Sequence, residues 1–565
     1  MTVQREQLEA DVLIVGAGPA GLSCALHLAN LIKKHNESGA KPEFSTENIY
    51  VLEKGRELGA HQLSGAIMNP KALAELVPDF EKSAPLDTPV TDDAALFFTQ
   101  NSSLRFPITP PPFQNKGNYV VSLNKIAKWL GGLVEKSGVN LFTQFGGAEL
   151  IYENNGIAGV ITEDKGIDKN GKPKDNYTPG YELRAKVTVL AEGTRGSLTK
   201  QLVEKYKLDN INPQIYSLGI KELWDVQPGR IQPGYVAHTL GWPVTTDMYG
   251  GGWIYGLSNY RVSIGLVIGL EYSDPQFDPH EAFQKWKTHP HIKKILDGGK
   301  LVRYGAKSLP AGGWYSMPRN YVDGGLIIGD SGSFLDSQRL KGIHMAIKSG
   351  MLAAETIFEA LKAGDTSAKT LSAFPQKVEA SYIKKELWAV RNFHQSFKYG
   401  LYGGLFHTGL QFITGGRGLI DPMRAEAGYK HYHHIDGRPA PPRFKGDGKT
   451  HLRSPHRRLP LRYAPRRRSA LPSPRQRSQR LRHKVHRRVR QPLPIFLPRR
   501  RLRTRHRSRQ LQTQNQRCQL RPLQDLRHRR PLPDHRLGRP RGRRRPQLRR
   551  HVAPSAGVSP IHPQV

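Results

Sequence analysis

The chain has 565 residues, which is room for roughly three domains of about 100–200 residues each. Its formal net charge is +39, but residues 451–565 contain 34 Arg, one Lys and only two acids, so they account for +33 of it. The two cysteines, Cys24 and Cys518, exclude a disulfide framework. No run of about 18 apolar residues predicts a membrane span. Residues 1–450 therefore have the composition of an ordinary globular protein, and the tail does not.

The first predicted element is a buried strand that runs into a glycine-rich turn and a helix. Val12–Val15 form a short apolar run, and Gly16, Gly18 and Gly21 follow at G-x-G-x-x-G spacing. The first glycine permits a tight turn, the second lets the backbone approach a pyrophosphate, and the third lets the helix pack on the strand. The motif in this context predicts a dinucleotide site at the helix N-terminus.

The second predicted strand, residues 49–52, ends in Glu53. An acid at this position binds a ribose hydroxyl of the adenosine half of a dinucleotide. The gap between the glycines and this acid is longer than usual, and we interpret the polar stretch 35–47 as a loop insertion. The alternative is a glycine turn with no ligand.

Two later strands end in the same way. Residues 187–190 run into Gly193, and residues 326–328 run into Gly329 and Asp330. Such endings place backbone N–H groups near a cofactor, and Asp330 would accept a ribityl or ribose hydroxyl. The alternative for this pair is a left-handed turn capped by Asp330. Residues 342–350 open a helix predicted at 351–361, and its N-terminus would stabilise a reduced, anionic flavin.

A second domain and a possible membrane contact are indicated further along the chain. Residues 211–317 contain several apparent strands, among them 262–268. Residues 399–413 are mostly apolar, and none of the fifteen is Asp, Glu, Lys or Arg. This stretch is too short to span a bilayer but suits an element that lies in a membrane face. The alternative is a buried core helix.

Together with the glycine turn, several further motifs resemble one family. They are Leu-Gly-Ala-His-Gln-Leu-Ser-Gly-Ala at 58–66, Gly-Ile-Lys-Glu-Leu-Trp at 219–224, His-Thr-Leu-Gly-Trp-Pro at 238–243, Tyr-Gly-Gly at 249–251 and Lys-Gly-Ile-His at 341–344. Over about residues 10–449 the chain resembles the electron-transfer flavoprotein–ubiquinone oxidoreductases. The resemblance implies an α/β fold with α+β inserts, in which a glutathione-reductase-like FAD-binding fold is interleaved with a quinone-binding domain.

The resemblance also implies how the domains divide the chain. The FAD-binding domain would be discontinuous, and the ubiquinone-binding domain would interrupt it. The FAD-binding segments would be 1–57, 116–210 and 318–375, the ubiquinone-binding segments 58–115 and 211–317. Residues 376–449 would contain a membrane-facing segment and the start of an iron–sulfur domain.

The resemblance assigns FAD to the ends of the parallel strands and to the loop after the second strand. The implied FAD-binding residues are Gly16, Ala17, Gly18, Pro19, Ala20, Gly21, Glu53, Gly59, Ser64, Gly65, Gly193, Gly329, Asp330 and Gly342. Ubiquinone would meet the backbone at Gly250 and Gly251, and segments 58–80 and 398–417 would dip into the membrane. No residue is assigned acid–base catalysis, because the chemistry is electron transfer.

The implied function is an oxidoreductase that takes electrons from reduced electron-transfer flavoprotein and passes them to ubiquinone. Its partners would be the flavoprotein, ubiquinone and a membrane surface, with no nucleic acid. The resemblance implies the mitochondrial inner membrane, or the plasma membrane in a bacterium. We expect no presequence, because the first apolar strand begins about ten residues from Met1.

The tail does not fit the family. The resemblance implies a 4Fe-4S cluster, which needs four cysteine thiolates, three of them in a C-x-x-C-x-x-C run. The tail contains only Cys518, and the chain as written therefore has no cluster ligand set and no metal site. With few apolar residues and many like charges, residues 451–565 are predicted to be disordered.

A shift of the reading frame by one base accounts for the tail. With suitable synonymous codons, the shifted frame encodes three cysteines at the required spacing, across Leu520/Arg521, Leu523/Gln524 and Leu526/Arg527. The fourth appears across Leu497/Pro498, and the direction of shift is the same. We interpret residues 451–565 as an out-of-frame product of a one-base insertion near codons 449–450.

Two other functions are compatible with parts of the sequence. The FAD motifs also occur in related reductases and monooxygenases that act on isoprenoid or aromatic substrates. The arginine-rich tail would bind RNA through its charge alone. It contains only two aromatic residues, Tyr463 and Phe496, so stacking platforms for bases are scarce.

Overall fold

The computed structural model describes residues 4–62, 64–168, 172–433, 439, 442, 444–447 and 450. The expectation of a disordered tail at 451–565 lies outside these residues. The strands of the described part are β1 Gln7–Val15, β2 Ile49–Glu53, β3 Ser64–Met68, β4 Leu86–Pro89, β5 Asp92–Phe98, β6 Ser103–Arg105, β7 Tyr119–Ser122, β8 Asn140–Thr143, β9 Gly147–Glu153, β10 Gly156–Thr162, β11 Lys165–Ile167, β12 Pro173–Thr178, β13 Glu182–Leu190, β14 Tyr216–Asp225, β15 Tyr235–Gly241, β16 Gly250–Leu257, β17 Arg261–Gly269, β18 Lys300–Pro310, β19 Tyr321–Val322 and β20 Gly325–Ile327.

The helices follow the same chain order. They are α1 Pro19–Glu37, α2 Lys71–Leu76, α3 Phe80–Ser83, α4 Leu123–Lys136, α5 Ser197–Tyr206, α6 Pro279–Trp286, α7 Pro290–Leu296, α8 Ile343–Ala363, α9 Ala368–Leu371, α10 Ala373–Ala380, α11 Tyr382–Ala389, α12 Phe393–Ser396 and α13 Gly400–Ile413. None of these helices is both long enough and apolar enough to cross a membrane.

The first sheet is parallel at its centre, in the order β20-β13-β1-β2-β8. Val12, Leu13 and Ile14 of β1 are fully buried, as expected for a strand covered on both faces. Because these strands are parallel, their carboxyl ends meet at one edge of the sheet. The glycine turn, Glu53 and the Gly193 and Gly329 segments follow these ends, so the topology gathers the predicted dinucleotide residues.

Helices α1 and α8 pack against each other beside this sheet. The contact is close at Gly350, where a Cβ atom would lie 2.3 Å from the carbonyl oxygen of Ala20. The helix predicted at 351–361 is part of α8, but its predicted start is wrong, because α8 begins at Ile343 with Gly342 as its N-cap. The predicted loop at 35–47 is wrong at its start, because α1 continues to Glu37.

The second sheet has the order β18-β14-β17-β16-β15-β5-β6 and is mostly antiparallel. Helices α6 and α7 contribute buried side chains to its core, among them Phe283, Trp286 and Ile292. Its strands come from residues 92–105 and 216–310, which lie within the segments predicted for a quinone domain.

A small third sheet, β3-β7-β4, packs against the second one. The shared apolar cluster includes Ile67 of β3, Val120 of β7 and Trp253 of β16. The loop predicted to approach a flavin ring is thereby held against the second sheet. The architecture is a mixed α/β fold, as predicted.

Candidate functional site

The glycine turn between β1 and α1 is shaped by backbone contacts. Gly16 has a φ of +112°, and a Cβ atom there would lie 2.3 Å from the carbonyl oxygen of Ala191. A Cβ atom at Gly21 would lie 2.0 Å from the carbonyl oxygen of Gly16. Gly18 is the N-cap of α1, and only the Gln62 side chain would come near a Cβ at that position, at 3.4 Å. Gly16 and Gly21 are therefore required by packing, and Gly18 faces open space.

Glu53 lies against this turn. Its Oε1 accepts a hydrogen bond from the Gly55 N–H at 2.7 Å, and its Oε2 accepts one from the Ala17 N–H at 3.3 Å. His61 Nδ1 lies 3.3 Å from Oε1. Burial would raise the Glu53 pKa, but the His61 and backbone hydrogen bonds outweigh it and hold the pKa below its usual range. An ionised carboxylate is thus positioned to accept a sugar hydroxyl.

The segments after β13 and β20 are joined by hydroxyl groups. The Thr194 hydroxyl lies 2.8 Å from the Ser308 carbonyl oxygen and 3.2 Å from Asp330 Oδ2. The Ser331 hydroxyl donates to the Gly193 carbonyl at 3.0 Å. Burial raises the Asp330 pKa, against the opposing effects of the Lys307 charge and the Thr194 hydrogen bond.

Gly329 connects these segments to the glycine turn. A Cβ atom at Gly329 would lie 2.7 Å from the Cβ of Ala20, and the Gly329 N–H donates to the Ser349 hydroxyl at 3.0 Å. Gly342 begins α8, whose first-turn N–H groups make its N-terminus attractive to negative charge.

The loop before β3 is held from two sides. The Gly59 carbonyl accepts a hydrogen bond from Asn124 Nδ2 at 2.6 Å. The Gly65 carbonyl accepts one from the ammonium group of Lys221, a buried lysine on β14. Burial lowers the pKa of Lys221 to about 7. Ser64 is the first residue of β3.

The two glycines predicted to meet ubiquinone begin β16. Gly250 is paired with Ile268 and Gly251 with Val267 of β17. Their neighbour Tyr249 is half-buried, its hydroxyl donates to the Ser337 carbonyl at 3.3 Å, and its ring centre lies 4.3 Å from that of His394.

Sequence reasoning missed a hydrogen-bonded contact between a buried histidine and a half-buried carboxylate beside Tyr249. His394 Nε2 lies 2.5 Å from Glu271 Oε1, and the His394 side chain is only 2% exposed. Burial would raise the pKa of Glu271, but the charge and hydrogen bond of His394 hold it below its ordinary value. The two residues are 123 positions apart and belong to no motif, so no local signal joins them. His61 lay inside a quoted motif, at 58–66, but was not predicted to bind Glu53.

Helix α13 and the turns on either side of it present several large, exposed apolar side chains. We call these residues the α13 surface: Tyr399, Tyr402, Leu405, Phe406, Phe412, Ile413, Leu419 and Ile420. The two most exposed are Ile413 at 81% and Tyr402 at 71%. A buried core helix, the alternative interpretation of 399–413, is therefore wrong.

The segment 58–80, the other predicted membrane contact, differs. Leu73, Leu76 and Phe80 are buried in the core of the first sheet, and no large hydrophobic side chain of the described part of this segment is exposed. The short helices α2 and α3 turn their large apolar side chains inward, so the described residues of this segment form no exposed apolar face.

Comparison with known proteins decides the family. The model of the ubiquinone-binding domain of ETF-QO matches residues 216–309. A probable electron transfer flavoprotein-ubiquinone oxidoreductase of Acinetobacter baylyi is 43% identical over 432 residues, which cover 72% of this chain and 75% of the relative. The chain belongs to the electron transfer flavoprotein-ubiquinone oxidoreductase family.

Other relatives support the same family. The enzyme of Pseudomonas aeruginosa is 44% identical over 424 residues, covering 74% of this chain and 76% of the relative. The human mitochondrial enzyme is 42% identical over 422 residues, covering 73% and 67%. The predicted resemblance and the oxidoreductase class are confirmed.

One solved structure shows the fold in a distant protein. A geranylgeranyl bacteriochlorophyll reductase-like protein of Thermoplasma acidophilum aligns with a TM-score of 0.54 and 19% identity, covering 75% of this chain and 96% of that protein. At this identity the likeness concerns the fold alone.

Proposed function

We propose that this protein is a FAD-dependent oxidoreductase that takes electrons from reduced electron-transfer flavoprotein and passes them to ubiquinone. The observation that carries the proposal is the combination, in one chain, of a dinucleotide turn with a domain that matches the ubiquinone-binding model of ETF-QO. The related reductases and monooxygenases share the first feature, and the second favours quinone reduction.

The residues present fit FAD. A Cβ atom would lie 3.4 Å from the Gln62 side chain at Gly18 and 4.0 Å from Lys307 Nζ at Gly193, so both glycines leave room for a cofactor to approach the backbone. Glu53 and Asp330 would accept hydrogen bonds from its hydroxyl groups. When bound, FAD would be the electron carrier, which accepts electrons from the donor and passes them to the acceptor. The proposed FAD domain is glutathione-reductase-like and comprises 1–57, 116–210 and 318–375. The parallel sheet, with its turn, Glu53, Gly193 and Gly329 at one edge, supports this assignment.

Ubiquinone is proposed to meet the backbone of Gly250 and Gly251, in a domain formed by 58–115 and 211–317. The α13 surface is proposed to lie in one face of a membrane, because the exposed aromatic and aliphatic side chains of 398–417 favour the interface. This location would be a mitochondrial inner membrane or a bacterial plasma membrane. We do not extend the proposal to 58–80, in which Leu73, Leu76 and Phe80 are buried.

The 4Fe-4S cluster does not fit this chain. Four thiolates are needed, and the sequence contains Cys24 and Cys518 only, of which Cys24 is fully buried in α1. We propose that the gene encodes the cluster in the other frame. Sequencing the transcript across codons 440–460 tests this. If the transcript has one base fewer than this sequence requires, its reading frame encodes the four cysteines. If the transcript has the same number of bases, this polypeptide is the product.

The experiment for the whole function uses the full chain, reconstituted with FAD in detergent. We expect about one FAD per chain, and we expect flavin reduced by dithionite to be reoxidised by a short-chain ubiquinone, with quinol as the product. Reoxidation by oxygen alone, with hydroxylation of an aromatic or isoprenoid compound, would support the monooxygenase alternative. Reduced electron-transfer flavoprotein should donate poorly to this polypeptide, because one relay centre is missing.

A further inference from the structure

Lys307 belongs to the second sheet and lies near Gly193, at the edge where the parallel strands of the first sheet end. It lies on β18, paired with Gly219 of β14. If Gly193 carried a Cβ atom, the Lys307 Nζ would be its only neighbour within 4 Å, at 4.0 Å. The ammonium group therefore faces the open space beside the end of β13.

This ammonium group has no direct partner in the described part of the chain. Among the described residues, only burial and charges at a distance act on its Nζ, and no hydrogen bond contributes. Burial lowers the pKa of Lys307, while the charges of Asp330 and Glu53 raise it and that of Lys54 lowers it. Lys307 is half-buried, and a partly desolvated amine without an anion in contact is costly, so the position is suited to an anion.

The neighbours of Lys307 define which anion fits. Asp330 is placed for the ribityl side of the proposed cofactor, and Glu53 for the adenosine ribose. In FAD the diphosphate lies between these two sugar units. The charges of both carboxylates raise the pKa of Lys307. The Thr194 hydroxyl lies within hydrogen-bond distance of Asp330 Oδ2 and of the carbonyl oxygen of Ser308, the residue after Lys307.

We propose that Lys307 binds the diphosphate of FAD and fixes its position, opposite the N-terminus of α1. The inference rests on the proposed function, because it requires FAD in this cavity. The glycine turn belongs to the first sheet, whereas Lys307 belongs to the second sheet and would add a positive charge to the same site. Lys307 is thus a positioning residue that couples the two sheets through the cofactor.

The test compares Lys307→Met, Lys307→Gln and Lys307→Arg in the full chain, with Lys300→Met on the same strand as control. The FAD dissociation constant of the apoprotein is measured by flavin fluorescence quenching. We expect the Met and Gln variants to bind FAD about tenfold more weakly or worse, since a charge-assisted hydrogen bond is lost. The Arg variant should stay within about threefold of wild type, and Lys300→Met should be unchanged.

Two readouts separate diphosphate binding from a packing role. ADP should compete with FAD less well in Lys307→Met than in wild type, whereas adenosine should compete equally in both. The ³¹P resonances of bound FAD should move in the Met variant. Unchanged FAD affinity in the Met and Gln variants, or an equal loss in all three substitutions with a lower apoprotein melting temperature, would overturn the inference. Failure of wild type to bind FAD would instead overturn the proposed function.

Discussion

The turn into α1 and the α13 surface are similar as sequences and opposite as structures. Both are rich in glycine and apolar residues, and residues 12–32 and 399–413 contain no Asp, Glu, Lys or Arg. Leu22 and Leu28 of α1 are fully buried, while Phe406 and Phe412 of α13 are 63% and 68% exposed. The difference is that α1 is covered by the first sheet and α8, whereas nothing in the described chain covers those two rings.

The glycines of the two regions differ for the same reason. Gly21 stands against the backbone of Gly16, so a side chain has no room there. Gly409 of α13 has no atom within 4 Å of where a Cβ would stand. Composition shows how apolar a segment is, and only the neighbours show whether a glycine is required. The following predictions test this contrast.

The largest effect is expected at the glycine turn. Gly21→Ala places a Cβ 2.0 Å from the Gly16 carbonyl oxygen, so strand and helix must separate. We expect a loss of about 3 kcal/mol in the free energy of unfolding and no measurable FAD retention. Urea unfolding and the flavin content of the purified chain measure both. A variant that keeps wild-type stability and FAD would contradict the packing argument.

The second effect concerns the α13 surface. Phe406→Asp with Phe412→Asp should reduce binding to phospholipid vesicles at least tenfold, because a buried phenylalanine contributes roughly 1.5–3 kcal/mol. Stability in the absence of membrane should change little, since both rings are exposed. Val302→Asp on β18, where Val302 is 44% exposed, is the matched control. Co-sedimentation with vesicles is the measurement, and equal losses in both variants would show a nonspecific effect of charge.

The third effect is a pH dependence at Lys221. Its pKa is lowered by burial to about 7, so the unfolded chain binds more protons than the folded chain between about pH 7 and 10. The unfolding free energy therefore rises with pH in that window through this group, and its cost is fully present below it. Lys221→Met should flatten the rise between pH 6.5 and 9.5 by about 3 kcal/mol. Urea unfolding at pH 6.5 and 9.5 measures it, and a slope equal to that of Lys300→Met would refute the assignment.

The smallest effect is expected at Gly409. Gly409→Ala should raise the free energy of unfolding by about 0.5–1 kcal/mol, because alanine loses less backbone freedom in a helix and meets no neighbour. Gly403→Ala in the same helix is the control, since its Cβ would lie 2.6 Å from that of Tyr399. It should not stabilise the protein. Thermal unfolding of the pair distinguishes an open glycine from a packed one.

Residue spacing along the chain was sufficient to predict the parallel strands, the turn at Gly16–Gly21 and the acid at the end of β2. These features depend on steric requirements within a few residues, so a local pattern carries them. The lack of four cysteines is likewise a property of the sequence alone. The motifs predicted the family before any contact was known, and the relatives confirm it.

Other features depended on tertiary contacts. His394 and Glu271 are 123 positions apart in the sequence. Lys307 lies beside the ends of the parallel strands although it belongs to the other sheet. The same holds for the two segments predicted to meet a membrane: Leu73, Leu76 and Phe80 are buried, whereas Tyr402, Phe406 and Phe412 are exposed. The sequence by itself determined which cofactor motifs and cluster ligands the chain contains, because these depend on local backbone geometry and on residue counts. Tertiary structure decided which side chains meet and which face outward, because burial and long-range pairing arise only when separate elements pack.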